Sequence, residues 1–192
     1  MIKDKIEAQY YPEISKELIK QIKANLPENK NIDVLSLVGE IRSGLLTMIS
    51  NGYDAGDLLK DYSQNVHRLY LDISILLENK ENGKFDIVIF EIKKVKKMGL
   101  SELSQLIGYC LVSKVKFGVL VNVDTAISHN LSIMLDDDPD LTHITRFIDG
   151  KKINHELGVM VWNSFTMKIE YTNSGAIKSM PHLVAKLTDS LS

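Results

Sequence analysis

The sequence predicts an α/β fold in which helices flank a mixed central sheet. Two observations carry this prediction. Apolar residues follow a helical period over the first third of the chain, and β-like apolar runs then appear at residues 67–78, 85–93 and 116–123. Helical stretches lie between and after these runs. That order is typical of a sheet covered by helices, because each strand run needs an apolar helix face to bury it.

Helices account for most of the remaining chain. A first helix is predicted over residues 3–26, where Pro12 either starts or splits it. A second is predicted over residues 33–50, with Asp33 as N-cap and Asn51-Gly52 at its end. Shorter helices are predicted at residues 54–62, 101–113, 125–135 and 176–190, and one or two strands at residues 158–172.

Composition narrows the class of protein. A chain of 192 residues, 44% of them hydrophobic, is expected to form one domain around one core, residues 1–192. The formal net charge of −2 argues against a protein that binds duplex DNA through its overall charge. A nucleic-acid-binding protein of this composition needs a local basic patch. One cysteine, Cys110, excludes an intramolecular disulfide and a cysteine-ligated metal. No membrane-length apolar run or signal-like N-terminus is visible, and a cytoplasmic location is expected.

The candidate functional residues lie at the end of the apolar run 85–93. Alternation along a strand places Glu91 and Lys93 on one face and Asp86 on the other. If Asn82-Gly83 is a two-residue turn, Asp72 falls opposite Lys93 and becomes a diagonal neighbour of Glu91. Diagonal neighbours are roughly 7–8 Å apart at the backbone. Two carboxylates at that spacing can share a cation.

These residue types suit hydrolysis of a phosphodiester. Mg²⁺ or Mn²⁺ takes oxygen ligands, usually one or two carboxylates completed by water and phosphate. The metal ligands predicted first are Asp72, Glu91 and the main-chain carbonyl of Ile92. A neighbouring Lys93 can orient water and stabilise developing negative charge. The competing interpretation is a structural ion pair at the edge of a sheet.

A wider pattern resembles the PD-(D/E)xK nuclease superfamily. Eighteen residues separate Asp72 from Glu91-Ile92-Lys93, and Gln105 with Tyr109 follows as a Gln-x-x-x-Tyr motif typical of the RecB-like branch. The resemblance covers about residues 33–123. It implies a restriction-endonuclease-like core: a helix, a three-stranded meander, a second helix and a further strand. The remaining ends are expected to be elaborations, and candidates for a homodimer interface or a substrate cover.

The resemblance also implies roles. Asp72 and Glu91 would bind the metal and Lys93 would be the catalytic lysine. Glu40 would stand for the acid that many members carry on the first core helix, either as a direct ligand or through water. Substrate-binding residues would be Gln105 and Tyr109, which share a helix face. Independently of the resemblance, the lysines that follow the signature, Lys94 and Lys96 among them, are predicted to form the local basic patch that binds phosphates; a solvated lysine-rich turn is the alternative.

Two departures from the superfamily pattern are visible. Leu71 stands where the superfamily name expects proline, and the cysteines of cluster-bearing members are missing. The expected activity is a Mg²⁺- or Mn²⁺-dependent nuclease that hydrolyses DNA, as an endonuclease acting on branched or end-bearing DNA. The alternative is a nucleic-acid-binding or assembly module that kept the fold and lost turnover. A non-nuclease α/β protein with a chance motif is the third interpretation.

Overall fold

The computed structural model describes residues 6–148 and 150–192, and this part of the chain forms a sheet with helices on both faces. The helices are α1 (Tyr11–Asn25), α2 (Ile41–Ser50), α3 (Asp57–Asn65), α4 (Leu100–Ser113), α5 (His129–Asp137) and α6 (Met180–Ser190), with 3₁₀ turns at Glu7–Tyr10 and Pro139–Leu141. The strands are β1 (Ile32–Glu40), β2 (Tyr70–Asn79), β3 (Phe85–Lys93), β4 (Phe117–Val123), β5 (His143–Ile148), β6 (Lys151–Asn163) and β7 (Lys168–Gly175).

The sheet is mixed, as predicted. Its order begins β1-β2-β3-β4-β6, with antiparallel pairing from β1 to β3 and parallel pairing from β3 through β4 to β6. The long strand β6 pairs with β5 along its first half and with β7 along its last residues. The carboxyl ends of β3, β4 and β6 therefore meet at one edge of the sheet, which we call the carboxyl edge.

Each face of the sheet has its own apolar core. The first core packs α1 and α6 against the sheet, and Phe90 and Trp162 are among its completely buried side chains. The second packs α2, α3, α4 and α5 against the opposite face. Because helices cover both faces, β3 and β4 are buried nearly throughout and read as continuous apolar runs.

The prediction of a helix over residues 33–50 is wrong for the first half of that segment. Residues Ile32–Glu40 form β1, which pairs antiparallel with β2, and the helix begins only at Ile41. Asp33 does not cap a helix; its carboxylate accepts a hydrogen bond from the Tyr53 hydroxyl at 3.1 Å. The leucine and valine spacing of this segment fits either period, and pairing with β2 decides for a strand. The helix that precedes the meander is therefore α1.

The predicted hairpin exists, but its turn is wider than two residues. Phe85 pairs with Glu78, and the Asn79 N–H donates to the Lys84 carbonyl, which leaves residues 80–83 as the loop. The side chain of Asn82 donates to the main-chain carbonyl of Leu191 at 3.0 Å, so the turn is also a contact with the end of α6. The register predicted for β2 and β3 is thus wrong by two residues. A shift of two preserves which residues share a face.

The C-terminal part is richer in strands than predicted. The run at residues 158–172 belongs to β6 and β7, and β5 together with the first half of β6 was not predicted. Within residues 6–148 and 150–192, no helix combines the length and apolar character needed to cross a membrane.

Candidate active site

β2 and β3 part at Asp72, and this separation creates the candidate site. Their last paired residues are Ile73 and Phe90. Beyond this pair, the side chain of Asp72 replaces the main chain of β2 as the hydrogen-bond partner of β3. Its Oδ2 accepts the Ile92 N–H at 2.8 Å. Pairing with β1 is irregular at the same place, since Asp72 and Ile73 together oppose the single residue Val38. Such bulges re-aim side chains and are frequent beside functional sites.

Glu91 and Lys93 form a short, shielded ion pair at the carboxyl edge. The Lys93 Nζ lies 2.6 Å from Glu91 Oε1, and only 2% of the Glu91 side chain is exposed. The second carboxylate oxygen, Oε2, is buried and has no hydrogen-bond partner among the described residues. A buried carboxylate oxygen without a donor is costly unless the carboxyl is protonated or a further ligand binds it.

Burial and neighbouring acids shift the pKa values of both members of this pair. Burial raises the pKa of Glu91 to about 7; the hydrogen bond from Lys93 opposes this rise, and the charges of Asp72 and Glu7 add to it. Burial lowers the pKa of Lys93, but the hydrogen bond and charge of Glu91, with the charge of Asp72, outweigh burial and raise it. Lys93 therefore stays a cation, while Glu91 can hold a proton near neutral pH.

Helix α1 contributes a residue that sequence reasoning missed. The Tyr11 hydroxyl donates to Asp72 Oδ1 at 2.5 Å. Burial first, and then the hydrogen bond to Asp72, raise the pKa of Tyr11 far above its ordinary value, so the phenol keeps its proton and remains a donor. Both oxygens of Asp72 are thus engaged, one by Tyr11 and one by the Ile92 N–H.

A third acid approaches from the 3₁₀ turn before α1. Glu7 Oε2 accepts the Lys94 N–H at 3.0 Å, and its charge raises the pKa of Glu91. Glu7 and Tyr11 are four residues apart, but no sequence signal connects either to the strand end. Only the packing of α1 across the sheet brings them there.

Glu40 does not occupy the place predicted for it. It ends β1 and is the N-cap of α2, so it lies on no helix face. Its Oε1 accepts the N–H groups of Arg42 at 3.0 Å and Ser43 at 3.4 Å, and its Oε2 accepts the Ser43 hydroxyl. These bonds, with that of the Ser43 hydroxyl the largest, lower the pKa of Glu40. Both carboxylate oxygens therefore accept capping hydrogen bonds, and no described contact joins Glu40 to Asp72 or Glu91.

The residues predicted to bind substrate are found in three settings. Gln105 and Tyr109 do share a face of α4, since Gln105 Nε2 donates to the Tyr109 hydroxyl at 2.9 Å. No described hydrogen bond connects either of them to Asp72 or Glu91. Lys94 lies over the ring of Tyr10 at 5.2 Å from its centre. Lys96 is exposed and lines a cavity of about 380 Å³ beside the first turn of α5.

The donor set partly fits a hard cation. Two carboxylates, Asp72 and Glu91, lie with the main-chain carbonyl of Ile92 at the strand ends, and Glu91 Oε2 is the unpaired oxygen that a cation would satisfy. Within residues 6–148 and 150–192, no three histidine, cysteine, aspartate or glutamate side chains group into a ready-made metal cage. A Mg²⁺ or Mn²⁺ site with few protein ligands, completed by water and phosphate, needs no such cage.

Comparisons with known protein families, with curated proteins and with solved structures gave no match for this chain. The geometry of Asp72, Glu91 and Lys93 therefore carries the functional argument by itself.

Proposed function

We propose that the protein is a metal-dependent nuclease that hydrolyses DNA phosphodiester bonds. The observation that carries the proposal is the buried, unpartnered Oε2 of Glu91, next to Lys93 and Asp72 where β2 and β3 separate. A cation bound at Oε2 would complete the coordination of this oxygen when Glu91 is ionised.

The order of elements supports a restriction-endonuclease-like core. The succession α1, β1, β2, β3, α4 and β4 follows the expected helix, three-stranded meander, helix and strand. Helices α2 and α3 are then an insertion between the first two strands. With α1 as the first helix, the proposed core starts near residue 11 and not near residue 33.

In the proposed mechanism, Asp72, Glu91 and the Ile92 carbonyl would hold Mg²⁺ or Mn²⁺. When bound, the cation lowers the pKa of a coordinated water and neutralises charge on the phosphate. Glu91 must lose its proton to act as a ligand, and the Lys93 ammonium favours that loss. Lys93 would hydrogen-bond a phosphate oxygen or the attacking water. Tyr11 and the Ile92 N–H fix the orientation of the Asp72 carboxylate.

One relationship favours the alternative of an inactive nucleic-acid-binding or assembly module. Three of the four carboxylate oxygens of Asp72 and Glu91 already accept a hydrogen bond from Tyr11, Ile92 or Lys93. A site closed in this way resembles a structural network. The two functions differ in one respect only, which is turnover.

Cleavage assays separate them. Purified protein with Mn²⁺ is incubated with single-stranded, duplex and branched DNA, and products are resolved on denaturing gels. We expect cleavage that Asp72→Asn and Glu91→Gln abolish and that Lys93→Met slows about 100-fold. Matched controls are Glu81→Gln in the exposed hairpin loop and Lys97→Met, an exposed lysine; both should cut at the parental rate.

Two outcomes contradict the proposal. A parent protein that cuts none of the three substrates, but binds them, establishes the inactive module. Cleavage that survives Glu91→Gln unchanged would place the chemistry elsewhere in the protein. Size measurement of the same preparations tests the predicted homodimer.

A further inference from the structure

The turn between β6 and β7 presents an aromatic side chain to solvent. Phe165 is 95% exposed, although large apolar side chains are normally covered. The turn that carries it is held by side chains: Asp124 accepts the Ser164 N–H and hydroxyl, both at 2.7 Å. Asn163 Oδ1 accepts the N–H groups of Phe165 at 3.1 Å and Thr166 at 3.0 Å. Phe165 is thus a projecting ring on a firmly bonded support.

This turn lies at the carboxyl edge, as the candidate active site does. Lys93 pairs with Asn122 of β4, and Asn122 pairs with Val161 of β6, only two residues before the turn. In this register Glu91 is level with Val159 of β6. The turn is therefore displaced from Glu91 by about 10 Å across two strand spacings and by about 13 Å along the strand direction.

Positive charge lies beside the turn. A cavity of about 470 Å³ is bounded by Trp162, Thr166 and Met167, together with the side chains of Lys16, Lys20, Lys168, Glu13 and Glu17. The cavity has three lysines and two glutamates, and Lys20 is paired with Glu17, so the excess of positive charge is one. The buried indole N–H of Trp162 has no hydrogen-bond partner among the described residues. The cavity therefore offers the ammonium groups of Lys16 and Lys168 to an anion.

An exposed ring next to lysines is the arrangement that binds single-stranded nucleic acid. Unpaired bases stack on aromatic rings whatever their sequence, while cations hold the phosphates. Paired bases inside a duplex cannot do this, because their faces are covered by neighbouring base pairs. A ring exposed as Phe165 is would therefore favour strands with unpaired bases over the interior of a duplex.

We propose that Phe165 stacks on an unpaired base of a DNA strand whose phosphates pass the lysine cavity on the α1 face and cross the carboxyl edge toward Glu91 and Lys93. This inference rests on the proposed nuclease function and specifies its substrate as DNA with an unpaired stretch.

Binding experiments with a fluorescent base test the proposal without requiring cleavage. Single-stranded oligonucleotides carrying 2-aminopurine are titrated with protein in the Glu91→Gln background, where DNA cannot be cut. We expect quenching of the base on binding, and about tenfold weaker binding with loss of quenching in Phe165→Ala. Phe165→Trp should restore both. Because residue 165 is exposed, these variants should fold as the parent does.

The matched control is Phe147→Ala. Phe147 is also exposed, at 71%, but pairs with Lys152 near the start of β6 and so lies at the opposite edge of the sheet. We expect parental binding and quenching from this variant. Equal binding by the two alanine variants and the parent would overturn the inference, as would a parent that binds no single-stranded DNA. Cleavage assays on the Glu91-containing proteins are scored separately, so a loss of stacking and an absence of turnover are told apart.

Discussion

The hydroxyl of Tyr11 donates a hydrogen bond of 2.5 Å to Asp72, across 61 positions of sequence. This bond ties α1 to the point where β2 and β3 separate. A hydrogen bond to a charged group contributes about 1.5–3 kcal/mol, so the contact bears on both the stability of the fold and the orientation of the candidate ligand.

Tyr11→Phe tests that contact directly. We expect the free energy of unfolding to fall by about 1.5 kcal/mol, because a partly buried donor to a carboxylate is lost while the ring is kept. Urea denaturation followed by circular dichroism measures the change. Tyr70→Phe is the control, since Tyr70 is 78% exposed and its hydroxyl has no described hydrogen bond. Equal stability of the two variants would show that the Tyr11–Asp72 bond contributes nothing.

The pKa of Glu91 makes stability depend on pH in a defined direction. In the folded chain this pKa is raised from 4.5 to about 7, so the folded state binds a proton that the unfolded state releases. The contribution is fully present below pH 4.5 and is lost as pH rises to 7. As pH rises between those values, the free energy of unfolding of the parent should fall by about 3 kcal/mol relative to that of Glu91→Gln. Denaturation at several pH values measures this, and parallel curves would contradict it.

The Lys93–Glu91 pair should behave as a coupled unit. Lys93→Met leaves a buried carboxylate without its cation, and we expect a loss of about 3 kcal/mol at pH 8. Adding Glu91→Gln removes the uncompensated charge and should recover most of that loss. A double-mutant cycle by urea denaturation gives the coupling energy, with Lys97→Met as an exposed control. Additive effects would show that the two side chains do not interact in solution.

Cation binding should be visible as stabilisation, apart from any activity. At 100 times its dissociation constant, Mn²⁺ raises the free energy of unfolding by about 2.7 kcal/mol, since it binds the folded state alone. We expect a higher melting temperature with Mn²⁺ for the parent and for Glu81→Gln, and no shift for Asp72→Asn. A shift of equal size in all three proteins would place the cation at another site.

Two glycines test the packing that supports the site. At Gly158 a Cβ atom would lie 2.7 Å from the Ile177 Cβ and 2.9 Å from its carbonyl oxygen, so Gly158→Ala should destabilise by more than about 2 kcal/mol. On α4, Gly108 has open space where its Cβ would be, and Gly108→Ala should stabilise by about 0.5–1 kcal/mol. Thermal melting of both variants measures this contrast; changes of the same sign would contradict the packing.

The sequence predicted the central elements well because their signals are strong. The runs of β2, β3 and β4 are long, apolar and bounded by polar turns, so burial on both faces could be read from them. Alternation along β3 correctly separated Glu91 and Lys93 from Asp86, which pairs with Lys116 and Ser190 at the other end of the sheet. Residues 33–40 were wrongly predicted to be helical because the spacing of their apolar side chains fits both the helical and the strand period.

By itself the sequence determined the mixed α/β class, most of the elements and the candidate trio of Asp72, Glu91 and Lys93, since these depend on local periodicity and residue chemistry. Tertiary structure alone decided that Glu40 caps a helix, that Tyr11 and Glu7 approach the acids, that β2 and β3 separate at Asp72, and that Phe165 shares their edge. These are contacts between residues far apart in the chain. Packing sets such contacts, and no local pattern of residues records them.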